Sequence, residues 1–251
     1  MSIPGKEVFR CYDEWGPVSV YELPPYRYLA FGEGGEQSCM LMGAPHTLVH
    51  QYAQAMMLAL LVVPAPGDVL VLGLGAGSLV NALLTQADVR AVTVVELRRA
   101  VVNVATEWFS FMPDQRLQLV ISDARDYLGL NEAGYDLLMA DLYTDEGMDA
   151  CLQAPEFLAD CYHSLNDDGV LVLNLWGDER SLDRGLQCTV GELFDGGLWL
   201  CPVEEGNIIL FAFKGRTPEL APRRLLAAAK LRAKTLGYPL NKLVFGLKPL
   251  A

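Results

Sequence analysis

Basic side chains are scarce through most of this chain. Residues 1–213 hold 10 lysines and arginines against 30 aspartates and glutamates, whereas residues 214–251 hold 9 against Glu219 alone; the formal net charge is −12. An acidic body disfavours nucleic acid and suits a cationic small molecule, although ordinary solubility charge would look the same. Histidine is rarer still. His46, His50 and His163 share no metal-ligand spacing. The cysteines (Cys11, Cys39, Cys151, Cys161, Cys188 and Cys201) form no C-x-x-C pair, so they read as small buried hydrophobes, and neither disulfides nor a metal are expected. No apolar run reaches the roughly 18 residues of a membrane span. The longest, Ala55 to Val63, ends at Pro64 and Pro66. The N-terminus lacks a basic region followed by an apolar core, so a cytoplasmic protein with no signal peptide and no membrane partner is expected.

What the chain does have is apolar content, 52% of 251 residues, enough to bury one main core with room for a small extra unit. It is organised around Asp68 to Glu96. Val69 to Leu72 is a short apolar run of strand length, Gly73-Leu74-Gly75-Ala76-Gly77 is a glycine turn, and Ser78 to Leu84 reads as a helix start. A second apolar run, Ala91 to Val95, ends on Glu96. Glycines let a ligand approach backbone amides without meeting a Cβ, and a helix start offers unpaired N–H groups. An acid at the second strand's tip can accept from both ribose hydroxyls. A tight strand-to-helix turn would use glycines anyway; with Glu96 in place they point to a nucleoside. The spacing G-x-G-x-G, with Ser78 where a dinucleotide site has its third glycine, leans towards an adenosyl-sulfonium ligand.

Ahead of this unit, Val8–Tyr12, Val18–Leu23, Tyr26–Phe31 and Gln37–Met42 read as strands of a small antiparallel sheet, and Pro45 to Val63 as one helix. Behind it the pattern predicts a helix over 98–109, strands over 116–121, 135–140 and 170–175, helices over 155–165 and 181–194, and a closing antiparallel pair at 198–201 and 208–213. Strands alternating with helices mean a mostly parallel sheet covered on both faces. Successive strand ends carry Gly73 to Gly77, Glu96, Asp123 and Asp141, and such ends face one crevice. From Asp123 to Asp149 there are eight acids and one base, Arg125; half of these acids read as solvated loop charges, but Asp141 directly follows an apolar strand. Residues 220–234 read as a basic amphipathic helix that docks against the acidic body or a dimer partner. The domain division is 1–45 as an N-terminal β unit, 46–215 as a Rossmann-like adenosyl-binding domain and 216–251 as a basic helical extension.

Gln37-Ser38-x-Met40, Val69 to Ser78, Val94-Val95-Glu96, Ser122-Asp123-Ala124, Tyr135-Asp136 through Asp141, and Asp168 to Val172 occur in an order that resembles the polyamine aminopropyltransferases, the spermidine synthase family, and its divergent spermidine-synthase-like branch most of all. The resemblance runs from about Gln37 to Phe213. It implies an α/β fold, a Rossmann-like methyltransferase-type sheet with a small N-terminal antiparallel β unit. It implies aminopropyl transfer from decarboxylated S-adenosylmethionine, a co-substrate, to a small cationic polyamine, by a homodimer without a metal. Gly73, Gly75 and Gly77 would form the adenosyl turn and Glu96 would bind the ribose. Asp123 would accept from the adenine amine with Ala124 beside the ring, and Gln37 would lie near the sulfonium. Tyr52, Tyr143 and Asp145 would line the acceptor side, and Asp141 matches the family's catalytic aspartate.

Two positions depart from the family pattern. Where its turn reads G-G-G-D-G this chain has Ala76, and where its loop reads D-S-S-D or D-S-T-D this chain has Asp141-Leu142-Tyr143-Thr144, with Asp145 one place late. These changes keep two alternatives open: a methyltransferase using S-adenosylmethionine itself, and a non-catalytic protein that binds an adenosyl ligand or polyamine.

Overall fold

The computed structural model describes residues 3–32, 35–63, 65–178 and 182–250. Its first four strands, β1 (Lys6–Asp13), β2 (Gly16–Leu23), β3 (Tyr26–Phe31) and β4 (Glu36–Leu41), form an antiparallel sheet in sequence order, as their alternating pattern predicts. One face of this sheet (Val18, Val20, Leu29, Phe31 and Met40) packs on Val101, Val104 and Phe109, the apolar stripe and C-cap of α4 (Arg99–Trp108). That contact fixes the small sheet over the carboxyl end of the main one.

The single helix expected over 45–63 is instead α1 (Gln51–Met56) and α2 (Ala59–Val62), separated by tight turns in which Leu58, Leu60 and Leu61 donate three residues back. The stretch before α1 is not helical because Leu48 bridges Met40 and lies along β4.

The main sheet contains β5 (Asp68–Leu72), β6 (Ala91–Glu96), β7 (Leu117–Ile121), β8 (Tyr135–Ala140), β11 (Leu165–Trp176), β12 (Leu198–Pro202), β13 (Asn207–Phe213) and β14 (Lys248–Leu250). Its order is β14-β12-β13-β11-β8-β5-β6-β7. The five strands from β11 to β7 run parallel, and β13, β12 and β14 add antiparallel. Side chains of β5 alternate between two buried layers. Val69 and Val71 join Val80, Leu83 and Leu225 on one face; Leu70 and Leu72 join Leu128, Leu158 and Leu186 on the other. The helices concerned are α3 (Ser78–Leu84) and α8 (Pro222–Leu236) on the first face and α5 (Ala124–Leu130), α6 (Pro155–His163) and α7 (Arg184–Leu193) on the second. Ser181, expected to begin α7, lies outside the described residues.

Among the elements that went unanticipated are α5, the two-residue strands β9 (Tyr143–Thr144) and β10 (Gly147–Met148) that pair as a hairpin, and β14. The basic helix α8 buries Leu225, Ala229 and Leu236, and Arg232 Nη1 donates to Asp88 (2.7 Å) and Gln86 (3.1 Å), so it docks on its own chain. It is followed by α9 (Asn241–Val244). Among the described residues no helix is long and apolar enough to cross a membrane.

Candidate functional site

Strand order reverses between β5 and β8, the point at which open parallel sheets hold ligands beyond the strands' carboxyl ends. Leu72 pairs with Val95 on one side and Ala140 on the other, so the next residues, Gly73, Glu96 and Asp141, come level at the mouth. The backbones there approach closely. A Cβ on Gly73 would sit 2.3 Å from the Asp141 carbonyl oxygen, and Gly73 has φ +92°, so no other residue fits without displacing one strand end.

A cavity of about 870 Å³ opens at this point. It takes in Gln37, Tyr52, Gly73, Gly75, Glu96, Asp141, Tyr143 and Asp145 of the residues expected at the site. Gly77, Asp123 and Ala124 are not among the lining residues. Gly77 is packed under the turn, where a Cβ would meet Phe111 at 2.8 Å. Asp123 lies two residues past Ile121, which pairs with Glu96, and there it caps α5. Its carboxylate accepts from the Arg125 backbone (2.8 Å) and from the Arg125 guanidinium (3.0 and 2.6 Å), which holds it below the usual carboxylate range. Ala124 is buried in the layer beneath.

Glu96 is 7% exposed and fastens the glycine turn: Oε2 accepts from the Leu74 N–H (2.9 Å) and Oε1 from the Arg98 N–H (2.8 Å). Burial raises its pKa, and those two amides oppose the rise. Asp141 is also raised by burial, against a hydrogen bond from Asn174 Nδ2 (2.8 Å) and the charge of His50. Asn174 in turn accepts from Asn207 Nδ2 (2.9 Å), which also donates to the Tyr143 hydroxyl (3.2 Å). Neither asparagine was singled out from sequence. The available signal was Asn174 interrupting the apolar run Val170 to Leu175; its meeting with Asn207 depends on the pairing of β11 with β13.

The hairpin of β9 and β10 closes one side, tied to the N-terminal sheet by Gln37 Nε2 donating to the Thr144 carbonyl (3.2 Å). Trp15 and Trp176 stand exposed on the lining. Arg98, also on the lining, is turned to the N-terminal sheet: its guanidinium holds Asp13 through two bonds (2.9 and 2.7 Å) and the Gly16 carbonyl (2.8 Å), over the Phe31 ring.

Residues 49–179, more than half of the chain, match the model of the spermine/spermidine synthase domain. The chain belongs to that family. The polyamine aminopropyltransferase of Neisseria meningitidis serogroup B is 27% identical over 235 residues, covering 92% of this chain and 89% of its own. The eEF1A lysine and N-terminal methyltransferase of Xenopus laevis is 29% identical over 206 residues, 75% of this chain but 30% of its own length. Among solved structures, a spermidine synthase in complex with the transition-state analogue AdoDATO matches with a TM-score of 0.69 at 19% identity, covering 92% of this chain and 88% of the other. Human methyltransferase-like protein 13 in complex with SAH matches at 0.62 and 28% identity, covering 75% and 90%. The proteins this chain is similar to thus include transferases of two kinds on one fold.

Proposed function

We propose that this spermidine synthase-family chain transfers an aminopropyl group from decarboxylated S-adenosylmethionine to a small polyamine. The charge of the cleft carries the proposal. Glu36, Glu96, Asp141, Asp145, Glu146 and Asp149 line it, and the one arginine among the described lining residues, Arg98, is paired with Asp13. Both substrates are cations, and a cleft of one sign concentrates them. The full S-adenosylmethionine carries a carboxylate, for which the lining offers no unpaired lysine or arginine among the described residues.

The chemistry follows from the same groups. An alkylamine is mostly protonated at pH 7 and must lose a proton to attack. Its nitrogen lone pair forms a bond to the methylene beside the sulfonium, the carbon–sulfur bond breaks, methylthioadenosine leaves, and the proton passes to Asp141. Holding both partners in line would supply about 7–11 kcal/mol by removing the entropy of encounter. Glu96 would take the ribose, Gln37 would stand near the sulfonium, and Tyr52, Tyr143 and Asp145 would flank the amine. Asp123 would accept from the adenine amine through a lone pair of Oδ2, which takes one bond from Arg125 Nη2.

A second reading, methyl transfer from S-adenosylmethionine, is favoured by Ala76 and Thr144. Ala76 is 1% exposed and packs with Val18, Phe31 and Val101, so it presents no acid to a donor ammonium; its N–H donates to Ser38 Oγ (3.3 Å) instead. Mass spectrometry after incubation with both donors and a mixed polyamine pool separates the two. Methylthioadenosine and an amine heavier by one aminopropyl group support the first; S-adenosylhomocysteine supports the second; neither product with any amine overturns both.

A further inference from the structure

Beside the cleft, on the side of the small sheet, three potential metal ligands of different chemistry converge. The ligand atoms of Glu36, Cys39 and His50 all lie within 4.8 Å of one another, the one such group of histidine, cysteine and acidic side chains found among the described residues. Their convergence is built. Residues three apart on a regular strand face opposite ways, but Ala30 pairs with Glu36 and Leu29 with Ser38, so Gln37 is an extra residue that flips the alternation. The bulge therefore puts Glu36 on the same face as Cys39, which pairs with Tyr28. The bridge between Met40 and Leu48 lays the following residues along the same strand and carries His50 to the pair.

Three further observations concern how these groups are held. Glu36 Oε1 is buried and lies 2.7 Å from His50 Nε2, an ion pair when the imidazole is protonated, so a metal ion here would take the place of that proton. The other ring nitrogen, Nδ1, faces Glu205 Oε1 at 3.4 Å, and Glu205 is itself fixed by the N–H groups of Gln51 (3.0 Å) and Tyr52 (3.1 Å). A carboxylate behind the far nitrogen is how a metal-bound imidazole is oriented. Finally, a small cavity of about 30 Å³ is lined by Cys39 and His50 and reaches Asp141.

We propose that Glu36, Cys39 and His50 bind one divalent cation of the zinc class, with Glu205 orienting the histidine. One oxygen, one sulfur and one nitrogen ligand match the borderline-soft preference of zinc and not the all-oxygen preference of magnesium or calcium. A tetrahedral ion at about 2.0–2.3 Å from each donor would enter where Oε1 and Nε2 now touch, with a small rotation of Glu36. Three protein donors leave a fourth position on the ion. Such an ion would tie β4 to the residues leading into α1, joining the small sheet to the main one beside the cleft.

Cobalt(II) titration of the purified metal-free protein tests this, because cobalt replaces zinc in such sites and its thiolate bond absorbs light. The expected result is one cobalt per chain with a thiolate-to-cobalt charge-transfer band that zinc abolishes. Cys39→Ala should lose the band, and Cys188→Ala, at an exposed thiol, should keep it. Glu205→Gln should weaken binding by about 10–100-fold. No cobalt retained after gel filtration, or a band that survives Cys39→Ala, overturns the site. If Cys39→Ala fails to fold by circular dichroism, Glu36→Gln decides: at least tenfold weaker uptake is expected, and unchanged uptake overturns it.

Discussion

Glu96 and Asp141 stand level on either side of the same strand, yet the protein holds them differently. Both carboxylates are buried enough to have raised pKa values. Glu96 gives one oxygen to each of two backbone amides of its own turn and connector. Asp141 accepts from one side-chain amide, Asn174, supported by Asn207 and Tyr143 across the sheet. The first arrangement is a fastening, in which the acid shapes the glycine turn. The second leaves an acid capacity for another donor, as a proton acceptor for an incoming amine requires. Two acids placed alike by strand register thus differ in what their neighbours ask of them.

Replacing each acid by its amide should separate the two. Asp141→Asn should lower kcat by about 10²–10⁴ while nucleoside binding, measured calorimetrically with methylthioadenosine, stays close to wild type. Loss of nucleoside binding together with turnover would show that Asp141 builds the pocket and takes no proton. Glu96→Gln turns an accepting oxygen into an NH₂ group that faces a backbone N–H, so it should cost about 1.5–3 kcal/mol of stability in urea denaturation and weaken methylthioadenosine. An unchanged unfolding midpoint would mean that the turn keeps its shape without the acid.

Asn174→Ala probes the support of Asp141. Its hydrogen bond lowers the Asp141 pKa against the opposing effect of burial, so its loss moves that pKa further up. The acid limb of the kcat/KM profile should then shift to higher pH, because the proposed reaction needs the ionised carboxylate. At fixed neutral pH the rate should fall by about tenfold, equivalent to roughly 1.4 kcal/mol. A lower rate with an unshifted limb would mean that Asn174 merely packs.

The same contrast explains what was legible in the sequence. The glycine turn and Glu96 are written within one stretch, because strand, turn, helix and second strand are local neighbours. The acid after β8 was legible for the same reason. Asp123 shares their signal, an acid after an apolar strand, but the identical pattern also writes an N-cap, and the residue two places on, Arg125, claims the carboxylate. The acidic run from Asp123 hid α5, whose buried side is only Ala124 and Leu128. Strands as short as β9, β10 and β14 have no periodicity to read. Asn174, Asn207 and the cluster of Glu36, Cys39 and His50 meet through pairing register and a bulge, which no residue spacing announces.

The smallest effect belongs to Thr144, where the family's loop has its second aspartate. Thr144 is exposed at the cleft, its Oγ1 accepting from the Glu146 N–H (3.2 Å) and its carbonyl from Gln37 (3.2 Å). An aspartate oxygen can accept the same N–H, so Thr144→Asp should fold normally and leave the hairpin in place. It adds one exposed charge among those of Asp145 and Glu146, and an exposed pair is worth only about 0.2–1 kcal/mol. The KM for a diamine should therefore fall about two- to fivefold with kcat unchanged. Raising the salt from low ionic strength to about 0.15 M should remove most of that gain, because screening acts on exposed charges. If the KM does not move even at low salt, the amine does not pass residue 144, and the acceptor path must run instead between Tyr52, Tyr143 and the buried network behind Asp141.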